Sequence, residues 1–242
     1  MKVVVIPDVH LKPWMFEKAA ELMKCASADG AVCLMDIADD WMQQYNIDLY
    51  IRTYDAAIRF AKAFPETLWC YGNHDLSYEW NQKETGYSPI APWTVCQKLQ
   101  ELREVLPDKN QIAYIQRIDN VLFCHGGLAD EFVRKYVPAK QYHDIDKVIG
   151  TINGFDWGVM WQDLSPIWYR PQYYGGKMYK PRKLLQVVGH TPVEQIARKG
   201  NLISCDVFST NRNRESTGSQ EFVLIDTETW NYKGISGGEY YA

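Results

Sequence analysis

A layered α/β fold, with mixed β-sheets in a sandwich flanked by helices, is predicted by three observations. Short β-branched or apolar runs recur along the chain, and between the early ones lie segments with helical periodicity. The later runs follow one another more closely, which points to mixed sheets rather than a strict strand–helix alternation. With 242 residues, 46% of them hydrophobic and 23% charged, the chain is long and apolar enough to bury a sizeable core.

The strands are read in order from KVVVIPD (2–8), GAVCLMD (30–36), TLWCYGN (67–73), NVLFCHGG (120–127), LLQVVGH (184–190), NLISCD (201–206) and EFVLID (221–226). Helices are expected over PWMFEKAAELMKCASA, IDLYIRTYDAAIRFAKAFPE and TVCQKLQELREVL, where apolar residues return every three to four positions. A further helix is expected over VEQIARK (193–199), because Thr191 as N-cap, Pro192 at the first position and Glu194 at the third form a capping box. Two stretches break the pattern, about 76–118 and 141–183. Both are too rich in Trp, Tyr and other apolar residues for disordered linkers, so they are read as ordered excursions over one end of the sheet. One domain spanning 1–242 is the expectation.

A net charge of −4 disfavours a general nucleic-acid or anionic-membrane surface, since such partners are met with a basic excess. The N-terminal apolar run is too short for a secretion signal, and no other run approaches the roughly 18 residues of a membrane span. The six cysteines show no Cys-x-x-Cys spacing, and most sit in apolar runs, as expected of a reduced cytoplasmic protein.

Most of the strands end the same way. The first delivers Asp8 and His10, the second Asp36, the third Asn73 and His74, the fourth His125, and the next two His190 and Asp206. Each alone has an ordinary explanation: Asp-x-His triplets are common, Gly72-Asn73-His74-Asp75 suits a turn, and His125-Gly126-Gly127 suits a tight bend. Jointly those explanations fail. The chain has five histidines, and four of them fall at strand ends, leaving only His143 in a polar loop. The carboxyl ends of strands are where open α/β sheets bind ligands, so one shared site is expected.

Asp, His and Asn without clustered cysteines make a mixed nitrogen and oxygen ligand set, unlike structural zinc. There are too many ligands for one catalytic metal. Two ions bridged by a carboxylate fit better, and such pairs promote in-line displacement at phosphorus.

The ordered set of Asp-x-His (8–10), the Asp36/Asp39 pair, GNHD (72–75), HGGL (125–128) and GHTP (189–192) resembles the calcineurin-like metallophosphoesterases. It is most similar to the branch with PPP-type serine/threonine phosphatases, bacteriophage lambda phosphatase and symmetrical diadenosine tetraphosphatase. The resemblance implies an α-β-β-α fold, a first metal on Asp8, His10 and bridging Asp36, and a second on Asp36, Asn73, His125 and His190. It further implies that His74 protonates the leaving oxygen, that Asp39 orients His74, and that Arg170, in a Trp-x-Arg stretch (168–170), grips the phosphoryl group alongside Asn73 and His74. The Asp-Arg-Gly of protein phosphatases reads Asp39-Asp40-Trp41 here, so one phosphate-contacting arginine is missing.

The resulting expectation is a phosphoesterase with two divalent ions, Mn²⁺ foremost in vitro and Fe, Zn, Co or Ni also suited. A metal-bridging hydroxide would attack phosphomonoesters of protein or small-molecule type. The alternatives are a dinucleoside polyphosphate hydrolase, a phosphodiesterase or nuclease on the same site, and a non-catalytic metal-binding module. A cysteine phosphatase is disfavoured because six residues after Cys124 stands Asp130 where an arginine is needed. KMYKPRK (177–183) and TNRNRES (210–216) are basic clusters that either meet an anionic substrate or are solvated faces. Trp157, Trp161 and Trp168 either stack a base or pack the excursion.

Overall fold

The computed structural model describes residues 1–236. In chain order the elements are β1 (Lys2–Ile6), α1 (Trp14–Cys25), β2 (Gly30–Cys33), α2 (Ile47–Ala63), β3 (Leu68–Cys70), α3 (Asn73–Glu79), α4 (Pro92–Val105), β4 (Ile112–Ala113), β5 (Ile115–Ile118) and β6 (Val121–Cys124). There follow α5 (Asp130–Tyr136), α6 (Ile145–Asn153), α7 (Trp157–Met160), α8 (Pro171–Tyr174), β7 (Leu185–Val188), β8 (Ala197–Lys199), β9 (Leu202–Ser204), β10 (Phe222–Asp226) and β11 (Tyr232–Ile235). No helix among them is long and apolar enough to cross a membrane.

Two mixed sheets result. The first runs β11-β10-β1-β2-β3-β4, parallel from β1 to β4 and antiparallel at β10 and β11. The second runs β5-β6-β7-β9-β8, with a parallel centre and antiparallel edges. Strand alternation decides which residues face which layer. Val3 and Val5 of β1 join Val32, Phe123, Val187 and Val223 between the sheets. Val4 and Ile6, on the opposite face, pack with Phe16 of α1 and Ala57 of α2. On the far side of the second sheet, Leu122, Cys124 and Val188 pack against Phe132, Val148 and the aromatic excursion around Tyr169 and Tyr179. Hence runs that read as uniformly apolar: each central strand is covered on both faces.

Both stretches are ordered, but they build the layers instead of passing over one end of the sheet: the first carries α4, which packs on α2, and the edge strands β4 and β5 of the two sheets, and the second carries α6, α7 and α8. Trp161 meets Trp80 and Trp168 edge to face at 5.7 and 4.9 Å, so these rings pack the layer rather than stand free. Cys33, Cys70, Cys124 and Cys205 are buried free thiols, as expected of small hydrophobes.

The helix expected over 193–199 is not there. Its last three residues form β8, which turns at Gly200 (φ 63°) and pairs antiparallel with β9, from Ala197 opposite Ser204 to Lys199 opposite Leu202. The capping box fails for a physical reason: seven residues give a marginal helix, whereas the open edge of β9 offers ready-made backbone partners. At GNHD, which suits a turn as well as a site, the chain enters α3 at Asn73.

Candidate metal centre and cleft

The residues that follow β1, β2, β3, β6, β7 and β9 meet in one place, and Asp36 is at its centre. Ligand atoms of Asp8, His10 and Asp36 lie within 4.8 Å of one another, and so do those of Asp36, His125 and His190. The two triads share only Asp36.

Backbone carbonyls set the histidines. His10 Nδ1 donates to the Asp39 carbonyl at 2.9 Å, which leaves Nε2 on the side of Asp36 Oδ2, 3.9 Å away. His125 Nδ1 donates to the Leu34 carbonyl at 2.9 Å, and its Nε2 lies 2.9 Å from Asp36 Oδ2 and 3.1 Å from Asn73 Oδ1. This is how metal-binding imidazoles are held: one nitrogen tied to a fixed acceptor and the other free to ligate. His190 Nδ1 sits 3.2 Å from His125 Nε2, and the His190 backbone N–H donates to Asp8 Oδ1 at 2.7 Å.

The charge pattern calls for cations. Burial and the nearby Asp206 push Asp8 well above the usual carboxylate range, and burial also raises Asp206. Burial opposes the charge on Asp36 too, yet His125, His74 and His10 hold its carboxyl far below that range. His125 is pushed up to about 9 although burial disfavours its cation, because Asp36 and Asp8 face it. His190 is driven well below the ordinary value by burial and by His125. Three buried carboxylates facing imidazole nitrogens suit divalent metal ions, which would replace protons as the compensating charge. Two atoms make the fit specific: Asp8 Oδ2 and His190 Nε2 are buried without a hydrogen-bond partner.

The local backbone is shaped for the site. His10 (φ 43°), Met35 (φ 56°), Asp36 (φ 43°), Asp39 (φ 61°) and His190 (φ 61°) all occupy the left-handed region. Each such residue costs on the order of 1–3 kcal/mol, tolerated where the surroundings over-determine the conformation. Asp75 supplies part of that determination for the 36–39 turn, its Oδ1 accepting from Ile37 N–H at 3.0 Å, Ala38 N–H at 3.3 Å and Tyr54 O–H at 2.6 Å. Two glycines allow the closest approaches. A Cβ on Gly72 would fall 2.0 Å from Asp36 Oδ1, and one on Gly189 would fall 2.0 Å from Asp8 Oδ2.

Beside this cluster opens a cleft of about 220 Å³ whose lining includes His10, Asp36, His74, Arg170, His190 and Asp206. His74 is tied at both ends: its backbone N–H donates to Asp36 Oδ1 at 2.9 Å, and its Nδ1 meets Asp39 Oδ2 at 2.9 Å. Burial opposes the imidazolium, but Asp36 and Asp39 outweigh it and raise His74 to about 9. Arg170 Nη1 donates to the His190 carbonyl at 2.6 Å, which anchors the guanidinium on the cleft wall.

All nine residues that the sequence points to, Asp8, His10, Asp36, Asp39, Asn73, His74, His125, Arg170 and His190, are therefore brought together. Asp206, which the strand-end pattern flags but the resemblance does not assign, joins them. Asp40, standing where the resembled phosphatases carry arginine, is neutralised by Lys12 Nζ at 3.5 Å and accepts from Thr210 Oγ1. Of the basic clusters, 177–183 lines a separate groove with Tyr142 and His143, whereas 210–216 borders the cleft through Thr210, with Arg212 over the Trp41 ring. Tyr50, Tyr54, Tyr78 and Asp75 were not legible as site residues: the tyrosines fall on helical apolar stripes, and Asp75 gives only its place in GNHD as a signal.

Comparison with known proteins bears on the family and the fold. The family model for calcineurin-like phosphoesterases matches residues 1–216. A cold-active protein-tyrosine phosphatase of a psychrophilic Shewanella shares the fold at 16% identity and TM-score 0.55, over 97% of this chain and 80% of that one. Another structure of a cold-active protein-tyrosine phosphatase matches at 17% identity and TM-score 0.53, over 97% and 78%. A hypothetical protein from Pyrococcus horikoshii matches at 14% and TM-score 0.51, over 97% and 87%. At these identities the likeness is one of fold. No curated protein matches the chain.

Proposed function

The chain belongs to the calcineurin-like phosphoesterase family, hydrolases that act on phosphate esters with divalent metal ions, and we propose that it is a dinuclear-metal phosphomonoesterase. The observation that carries this reading is the sharing of Asp36 between two ligand triads, directly beside the His74–Asp39 pair. Asp8, His10 and Asp36 would hold one ion, and Asp36, Asn73, His125 and His190 the other. When bound, such ions lower the pKa of water enough to supply hydroxide at neutral pH and neutralise phosphoryl charge.

The chain's own residues do the rest. His74 donates Nδ1–H to Asp39, so its Nε2–H is the proton left for the cleft, and the Asp39 carboxylate against the ring favours the protonated form. As the P–O bond to the leaving group breaks, that proton passes to the departing oxygen, and Asp39 keeps the resulting neutral ring in the right tautomer. Arg170 has N–H groups beyond the one bound to His190, and these meet the equatorial oxygens with charge-assisted bonds. Asp40 and Lys12 neutralise each other, so Arg170 is the cleft arginine that this reading assigns to phosphate.

A direct test compares turnover of a phosphomonoester, a bis-aryl phosphodiester and a dinucleoside tetraphosphate in the same Mn²⁺ buffer. The Shewanella neighbour is called a protein-tyrosine phosphatase, so a phosphotyrosine peptide belongs in the panel. Preference for the monoesters supports the reading, and preference for the diester or the tetraphosphate replaces it.

A further inference from the structure

The carboxylate that holds His74 is itself held from the other side. Asp39 Oδ2 faces His74 Nδ1, and Asp39 Oδ1 accepts from Tyr50 O–H at 2.6 Å and from Tyr78 O–H. His74 and Tyr78 are four residues apart on α3 and so share a face, which lets one helix grip both oxygens of the same carboxylate. Tyr50 reaches it from α2, and both rings are buried. Tyr78 is fixed in turn: the Ser88 backbone N–H donates to its hydroxyl at 2.7 Å, and its ring stacks on Tyr87 at 4.4 Å and 15°. Thr85 and Gly86, just before these two residues, line the cleft.

A carboxylate bound only to His74 is free to turn about its last torsion, and the imidazole turns with it. Two hydroxyl donors on the opposite oxygen remove that freedom. We propose that Tyr50 and Tyr78 are positioning residues for the proton donor, fixing Asp39 so that the second nitrogen of His74 is aimed at the leaving oxygen. The proposal rests on the reading of His74 as that donor. A purely structural role, in which the hydroxyls only satisfy a buried carboxylate, has a different signature: it moves stability and leaves the substrate profile alone.

The test is leaving-group dependence in Tyr50→Phe and Tyr78→Phe, made separately. Each keeps the ring and leaves Asp39 Oδ1 one donor, so either variant alone decides. A good leaving group such as p-nitrophenolate departs without a proton, whereas an alkoxide does not. Each variant is expected to lose about tenfold in kcat on an alkyl phosphate and twofold or less on p-nitrophenyl phosphate, a small part of the roughly 10²–10⁴ that acid catalysis supplies. KM and bound metal stay as in the wild type. Equal losses on both substrates, or none, overturn the proposal. His74→Asn separates the two levels: if it too shows no preference for the good leaving group, His74 is not the proton donor and both readings fall.

Discussion

His74 Nδ1 and Asp39 Oδ2 lie 2.9 Å apart, while the Asp39 carbonyl, 2.9 Å from His10 Nδ1, orients a metal-facing imidazole. One residue thus couples the proposed proton donor to the candidate metal ligands. Its carboxylate, with Asp36, raises His74 to about 9 against the opposing effect of burial. An acid works only while protonated, so activity falls as pH rises through the His74 value, and bound cations place that limb below about 9. Asp39→Asn removes one negative charge and one charge-assisted bond, which lowers the value further. The alkaline limb of the kcat profile moves to lower pH in this variant; a shift upward would contradict the assignment.

Gly72 and Gly189 are tolerated by nothing larger because carboxylate oxygens occupy the place of their Cβ atoms. Gly72→Ala displaces Asp36 and Gly189→Ala displaces Asp8, so both weaken metal binding by roughly 10–100-fold, the range seen when ligands lose their support. Isothermal titration of metal-stripped protein with Mn²⁺ reads this directly. Wild-type affinity in either variant would show that these carboxylates are not where the ions sit.

Arg170→Lys keeps the charge and loses the planar fork. If the guanidinium acts on phosphate and not on metal, as proposed, a drop of roughly 10–100-fold in kcat/KM for a phosphomonoester is expected, with Mn²⁺ affinity unchanged. A variant with weakened metal binding and intact turnover at saturating Mn²⁺ would place Arg170 in structural support instead.

Trp69 is fully buried beneath the helix layer, between Phe16 at 6.0 Å and Phe60 at 6.5 Å. Trp69→Ala costs about 3–5 kcal/mol of stability, which urea unfolding measures as a lowered midpoint at unchanged slope.

Much of this was legible in the sequence because the pleat writes itself there. Strands covered on both faces read as unbroken apolar runs, and the polar residue that ends each run is forced to the sheet's edge, as at Asp8, Asp36, His125 and His190. What could not be read depends on tertiary contact. Tyr50 and Tyr78 sit on apolar helical stripes and look like core until Asp39 arrives beneath their hydroxyls. The left-handed backbone at Asp36 and His190 carries no residue signature, since neither is glycine. The 193–199 segment has every local helix signal, and an available strand edge overrides them. Asp40 looks like an unpaired acid in an arginine's place until Lys12 is seen to neutralise it and the Thr210 hydroxyl to donate to it.

The most direct measurement is hydrolysis of p-nitrophenyl phosphate by metal-stripped protein titrated with Mn²⁺, beside Asp36→Asn, with bound metal counted in both. Activity that is absent without metal, returns as two ions bind per chain, and falls at least roughly 100-fold in Asp36→Asn is the predicted result. Hydrolysis without metal, saturation at one ion, or full activity in Asp36→Asn would contradict a shared-carboxylate dinuclear site.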